Sequence, residues 1–406
     1  MSSATEKRYE VPVDLALSDR RGNIISPKYE FQVKRSNNNY FTFTITRKST
    51  NTKIIDSSVG GLLLTSQFLQ FVTYVPSTEV YGLGENNHVT LRHKFHFKTF
   101  PMFSRDEPST PGRNLNGVHP FYMCLEKGGK AHGVLFLNSN AMEYTFLSAP
   151  AIRFAAIGGI LDFIVFIGNS PNHVLQLYTS VIGRPSMPPY WALGFHLANA
   201  NYGNLENLQK VIARNRDVGI PVDAYHLDVE YMDNQTAFTV DPVNFKGLEQ
   251  FMEDEKRKYG LRFVIKMIPA VIGSLTDDTV FKGGCKKEVF ITWSPIIKMD
   301  QRNNPASVNT STDIMFGQLW RPVPVAFVDF FKKSTSPWWK MHLDNFRKRM
   351  PFSGVWLSMN EPSDLSKSSK ARAECKVKLP DGTCWHLHCP RTIYDDPHYP
   401  TGHIFL

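Results

Sequence analysis

The stretch LENLQKVIARNRDVGIPVDAYHLD, residues 205–228, decides the fold. Leu205, Leu208, Val211 and Ile212 recur at helical spacing and predict a helix over 205–218. Pro221 stops it, because proline brings no amide hydrogen and its ring crowds the preceding turn. Val222 to Leu227 then reads as a strand that ends at Asp228. Outward from this unit the alternation continues. Trp191 to Leu197 reads as an earlier strand, Leu248 to Tyr259 as a helix and Leu261 to Ile268 as a third strand. A long excursion follows, from Val271 to about residue 323. Pro337, suited to a first helical turn, opens a helix through Met350, and Gly354 to Leu357 is a fourth strand. Alternating strand and helix means a parallel sheet, either doubly wound or a β/α barrel. A barrel needs about eight such steps and only about four fit here, so the expectation over 186–370 is an incomplete (β/α)8 barrel.

Upstream, residues 1–185 read differently. Tyr29 to Val33 and Tyr40 to Thr46 alternate apolar and polar around the turn-rich Ser36 to Asn39, a hairpin signature. Leu62 to Val75, Gly133 to Asn138 and Gly159 to Gly168 add short strands bounded by turn residues, which predicts an antiparallel sandwich. Met187-Pro188-Pro189 is a stiff connector between the two patterns, and 371–406 reads as a divergent tail.

Composition bounds the function. With 42% hydrophobic and 20% charged residues, the 406-residue chain can bury a core. The net charge of +9 is scattered, with short clusters at Lys256-Arg257-Lys258 and Arg347-Lys348-Arg349. Nucleic-acid binding would need a basic stripe or a known motif, and neither is present. No apolar run reaches the roughly 18 residues of a transmembrane helix. The N-terminus has no apolar signal core, so the compartment stays open. Asn234 and Asn309 are sequons that matter only on the secretory route. Of five cysteines, Cys124 sits in an apolar run and is expected as a buried thiol. Cys375, Cys384 and Cys389 crowd the C-terminus, where a disulfide fits. Cys384 and Cys389 flank His386 and His388, but the spacing matches no standard zinc module, and neither metal nor cofactor is expected.

Reactive groups of a β/α barrel sit at the C-terminal ends of its strands. Two positions fit: Asp228 after the second strand, and Trp356-Leu357-Ser358-Met359-Asn360-Glu361-Pro362 at the end of the fourth. Trp320 and Trp356 are candidates for a pocket wall, since a rigid aromatic plane suits the C–H face of a sugar. Each has a plainer reading. Asp228 could cap a turn, the tryptophans could be core, and Glu361 could be a structural hydrogen-bond partner.

At these residues the chain resembles glycoside hydrolase family 31, nearest to maltase-glucoamylase, sucrase-isomaltase and lysosomal α-glucosidase. Val80-Tyr81-Gly82-Leu83-Gly84-Glu85, Phe103-Ser104-Arg105-Asp106, Asn138-Ser139-Asn140-Ala141-Met142 and Gly158-Gly159-Ile160-Leu161-Asp162 carry the resemblance in the first half. Pro188-Pro189-Tyr190-Trp191-Ala192-Leu193-Gly194-Phe195 carries it at the barrel's start, and the match spans roughly residues 10 to 370. The resemblance implies a galactose mutarotase-like β-sandwich followed by a (β/α)8 barrel. It also implies retaining hydrolysis of terminal α-glucosidic bonds without a metal, in a family mostly luminal or extracellular. Retention needs two carboxyl groups roughly 5 Å apart, one a nucleophile and one an acid/base.

Carried over residue by residue, the resemblance makes Asp228 a substrate-binding aspartate, Trp320 a pocket tryptophan, and Trp356 and Met359 part of the nucleophile motif. The nucleophilic aspartate itself falls at Ser358. A serine hydroxyl is not ionised near neutrality and cannot stabilise a cationic transition state by charge. Other departures agree: Arg321 interrupts the Trp-Pro-Gly motif, Asn199-Ala200-Asn201 replaces an Arg-aromatic-Gly run, Glu230 stands for an aspartate, and Ile268 for the aspartate before Pro269. The family's acid/base lies beyond residue 406. The expectation is an α-glucosidase relative with impaired catalysis. Its ligand is a maltose-like α-glucoside, and a protein partner covers the open half barrel. A non-catalytic carbohydrate-binding module and a fragment of a longer glycosidase are the alternatives.

Overall fold

The computed structural model describes residues 8–13, 15, 27–35, 41–104, 114–273, 279–294, 313–320, 323–366 and 385–388. They form two compact units that divide between Ser186 and Met187. The turn 36–39, Arg105, Asp106, Asn309, Arg321, Cys375, Cys384 and Cys389 lie outside the described residues.

The first unit is a sandwich of two antiparallel sheets. The larger, of eight strands, runs from Tyr29–Arg35 at one edge to Thr99–Met102 at the other. The expected hairpin is there: Tyr29 pairs with Arg47 and Arg35 with Phe41. The smaller sheet orders Phe163–Gly168, Ala131–Phe136, Asn114–Leu125 and Val80–Asn86. Period-two alternation sends Phe71, Tyr144 and Phe154 from one sheet and Tyr122, Val134 and Phe136 from the other into one core. Cys124 is fully buried there as a free thiol, and burial pushes its pKa up to about 12. The helix Pro171–Ile182 covers the outer face of the smaller sheet with Val174 and Tyr178. Ser170 caps it, accepting the His173 amide at 3.2 Å.

A buried ion cluster ties the two sheets. Arg47, on the larger sheet, donates to Glu126, which follows the Asn114–Leu125 strand of the smaller: Nε to Oε2 at 2.9 Å and Nη2 to Oε1 at 2.6 Å. Arg47 Nη2 also reaches the Ala131 carbonyl at 2.8 Å, and His132 Nδ1 lies 3.0 Å from Glu126 Oε1. Burial alone would raise the Glu126 pKa, but hydrogen bonds from His132 and Arg47 outweigh it and hold the carboxyl down at about 2. Burial keeps His132 below its ordinary pKa, so its ring is neutral and donates.

The second unit is built on four parallel strands in chain order: His196–Asn199, Ala224–Leu227, Arg262–Met267 and Gly354–Leu357. This is the first half of a (β/α)8 barrel. The helices Leu205–Asp217, Leu248–Tyr259 and Thr335–Arg349 follow the amphipathic spacing. Leu208, Ile212, Leu248, Met252 and Phe346 from these helices pack against Tyr225, Leu227, Phe263, Ile265 and Met267 of the sheet. Gly260 ends the second helix in a left-handed conformation, φ 70°, that a side chain would resist.

Two local readings change. Tyr190–Leu193 is a 3-10 turn and the first strand starts only at His196. The amides of Ala192 and Gly194 are taken by Pro189 and Trp191, so the apolar run closes on itself before it can join a ladder. The last helix starts at Thr335, two residues before Pro337; a proline is tolerated there because the first-turn amides have no intrahelical partner. The excursion after Val271 contains a small antiparallel sheet of Ala270–Ile272, Pro324–Phe327 and Phe316–Gln318. Trp385, 2% exposed, packs beside it with Phe281, Phe290 and Trp338.

Candidate functional site

Side chains alternate across a strand, so the sheet face away from the helices is set by every second residue. It carries His196 on the first strand, His226 on the second, Lys266 on the third and Trp356 on the fourth. Parallel barrel interiors are ordinarily filled by branched apolar residues. Here two imidazoles, an ammonium and an indole take that place.

Register brings them together at the C-terminal ends. Lys266 pairs with Trp356, and Leu227 pairs with Ile265, so Asp228 arrives level with Lys266. The Lys266 ammonium lies 3.1 Å from Asp228 Oδ2. It also sits 4.5 Å from the centre of the Trp356 ring and 5.6 Å from that of Trp320. Both charged side chains are 12% exposed. The other carboxylate oxygen, Oδ1, accepts the Val229 amide at 2.7 Å and caps the short turn Val229–Tyr231. Asp228 is therefore a turn cap and an ion-pair partner at once. The Tyr231 hydroxyl donates to the Lys266 carbonyl at 3.1 Å, fixing the lysine's backbone as well.

The neighbouring groups are fixed too. His196 Nδ1 is 2.9 Å from His226 Nε2, and the His226 ring meets Trp356 edge-on at 5.8 Å. Burial first, and His196 second, lower the His226 pKa. Glu230 accepts the amides of Tyr202 at 2.8 Å and Gly203 at 3.0 Å, holding the loop after the first strand. Burial raises its pKa, those amides lower it, and the nearby Asp228 charge raises it further; the net direction is up.

Three of the sequence-derived residues, Asp228, Trp320 and Trp356, thus meet around Lys266. The other two do not join them. Ser358 stands half-buried just past the fourth strand, with no hydrogen-bond partner among the described residues. Met359 has a left-handed backbone, φ 49°, and packs against the neighbouring cluster of Ile268, Ala270 and Leu319. Beside Trp320 a cavity of about 30 Å³ is lined by Val229, Met232, Ile268 and Leu319; it is water-sized, not sugar-sized. Sequence reasoning missed Lys266 and His226. The signal for Lys266 was a lone lysine inside the apolar run Phe263-Val264-Ile265-Lys266-Met267-Ile268. Among the described residues no group of three or more His, Cys, Asp or Glu is placed to hold a metal ion, and no helix is long and apolar enough to cross a membrane.

Comparison with known proteins gives two family matches. Residues 185–388 match the glycosyl hydrolases family 31 TIM-barrel domain, and residues 6–144 the glycosyl hydrolase 31 N-terminal galactose mutarotase-like domain. The chain is 37% identical over 392 residues to the probable maltase-glucoamylase 2 of Homo sapiens, covering 90% of this chain and 15% of that protein. It is 39% identical to the intestinal sucrase-isomaltase of Oryctolagus cuniculus, covering 88% and 20%, and 34% identical to the lysosomal alpha-glucosidase of Mus musculus, covering 98% and 38%. The chain therefore spans less than two fifths of the length of each of these relatives. Among solved structures, the Flavobacterium johnsoniae GH31 dextranase complexed with glucose aligns with a TM-score of 0.68 at 19% identity, covering 88% of this chain and 41% of that one.

Proposed function

This chain belongs to glycoside hydrolase family 31, and from that membership we propose that it engages α-glucosides without hydrolysing them. One observation carries the reading: Ser358 occupies the strand end where the resemblance places a nucleophilic carboxylate, and its hydroxyl has no base beside it among the described residues. A retaining mechanism without that charge loses both the covalent intermediate and the stabilisation of the oxocarbenium-like transition state. Glu361, three residues on, is exposed and does not replace it. What supports recognition is the aromatic pair Trp320 and Trp356 beside Asp228, one of them 37% exposed. Such a site holds a glucoside at about millimolar strength, roughly −4 kcal/mol.

The test is glucose release from maltose by the purified 406-residue chain. No turnover above the spontaneous rate is expected, and Ser358→Asp alone does not create it, because the family's acid/base is not among the matched site residues. Steady glucose release by the unmodified chain, abolished in Asp228→Ala, overturns the reading. The apolar side chains of Phe195, just before one edge strand, and Leu357, at the end of the other, are 49% and 70% exposed and support a covering protein partner. A purified chain that runs as a monodisperse monomer in light scattering counts against it.

A further inference from the structure

A largely buried lysine near the end of a parallel strand is an expensive choice unless its charge is met. Here it is met three times, by the Asp228 carboxylate at 3.1 Å and by the faces of Trp356 at 4.5 Å and Trp320 at 5.6 Å. A carboxylate flanked by two indole faces is the chemistry that recognises a cation, or a polyhydroxylated ring that offers hydroxyl hydrogens and C–H faces. The chain supplies its own cation to that arrangement. Both Asp228 oxygens are already engaged: one accepts the Val229 amide at 2.7 Å and the other meets Lys266.

We infer that Lys266 is a built-in occupant of the site formed by Asp228, Trp320 and Trp356, and that it sets what the site admits by competing with an external ligand for the carboxylate and the two rings. This rests on the proposed reading of Asp228 as the acceptor of sugar hydroxyls. Removing the ammonium turns the same three residues into an open receptor for small primary ammonium ions, and frees Asp228 for neutral sugars. A ligand that enters the unmodified chain must displace the lysine first, which weakens its binding.

Two variants test this on the full chain. Lys266→Ala vacates the space, and Lys266→Met fills it without charge. Ethylammonium chloride should raise the melting temperature of Lys266→Ala saturably, relative to sodium chloride at equal ionic strength. It should leave the unmodified chain, Lys266→Met and the double variant Lys266→Ala/Asp228→Asn unmoved. Maltose should bind Lys266→Ala at least tenfold more tightly than it binds the unmodified chain, by calorimetry. An ethylammonium response without any maltose gain keeps the built-in occupant and sinks the glucoside reading instead. No ethylammonium response in a folded Lys266→Ala, or an equal one in the unmodified chain, overturns the inference. If Lys266→Ala does not fold, Lys266→Ser, which also vacates the space, takes its place in both measurements with the same outcomes.

Discussion

Two internal ion pairs, one in each unit, are built on opposite plans. In the sandwich, Arg47 grips Glu126 through two parallel contacts, spends a further hydrogen on a carbonyl, and leaves the two side chains 3% and 1% exposed. In the parallel sheet, Lys266 meets Asp228 through one contact, 12% exposed on both sides, and leans on two indole rings. A planar guanidinium fork matches a carboxylate in only one way, whereas an ammonium is a point charge that another cation can imitate. The difference teaches which pair is a tie and which is a site. The first holds two sheets together and admits no substitute; the second has the form of a binding arrangement with its ligand attached.

That contrast can be broken by mutation, and the largest effect is expected in the sandwich. Glu126→Ala leaves the Arg47 charge buried and unpaired and should cost about 3–5 kcal/mol in urea unfolding. The double replacement Arg47→Met/Glu126→Leu should recover most of that loss, because two apolar side chains need no partner. If the double variant is as unstable as the single one, the cluster matters for its shape rather than its charge.

Acid should act next, and on the same pair. The Glu126 pKa is depressed in the fold to about 2, so its contribution is full above the ordinary carboxylate pKa of 4.5 and is lost as pH falls from there toward about 2. His132 works in the same direction. Its pKa is lowered in the fold, so the unfolded chain takes the proton more readily and stability falls as pH drops below 6.5. Unfolding of the unmodified chain between pH 7 and 3 should therefore show a steady loss, of which Arg47→Met/Glu126→Leu removes the part below about pH 4.5. A curve of equal slope in both would break the assignment.

The lysine pair should be the milder one. Lys266→Met removes one charged hydrogen bond from a carboxylate that still holds the Val229 amide, and should cost about 1–2 kcal/mol by thermal melting. A loss as large as that of Glu126→Ala would mean that the two pairs are alike after all. At the bottom of the scale stands the surface pair Arg257–Asp254, whose side chains are 69% and 34% exposed. Asp254→Asn there should change stability by no more than about 0.5 kcal/mol.

Much of this was legible in the chain. The helix Leu248–Tyr259 and the strand Gly354–Leu357 stand where periodicity puts them, because each is bounded by its own turn residue and packs on its own apolar face. The small antiparallel sheet was not legible. Its strands are three or four residues long, and their pairing joins Ala270 to Phe327, a register that no local pattern announces. Nor was the partnership of Lys266 and Asp228, 38 residues apart in sequence. Asp228, Trp320 and Trp356 could be named from their chemistry, but a lysine on a strand reads as a surface charge until register places a carboxylate and two rings around it. Trp191 misled for the opposite reason: its apolar neighbours look like a strand, and local amide bonding to the Pro189 and Trp191 carbonyls captures them first.

The staple made by Glu230 has a consequence in time rather than in shape. Tyr202 and Gly203 lie in a connecting loop and belong to no ladder, yet both of their amides are held by one carboxylate. Amide hydrogens in loops ordinarily trade with deuterium within moments, while those in core strands wait for a larger opening. These two should keep the clock of the second strand, to whose end Glu230 is anchored. The first loop would then be released only when its neighbour lets go, so that a stretch without regular structure inherits the lifetime of the sheet beside it.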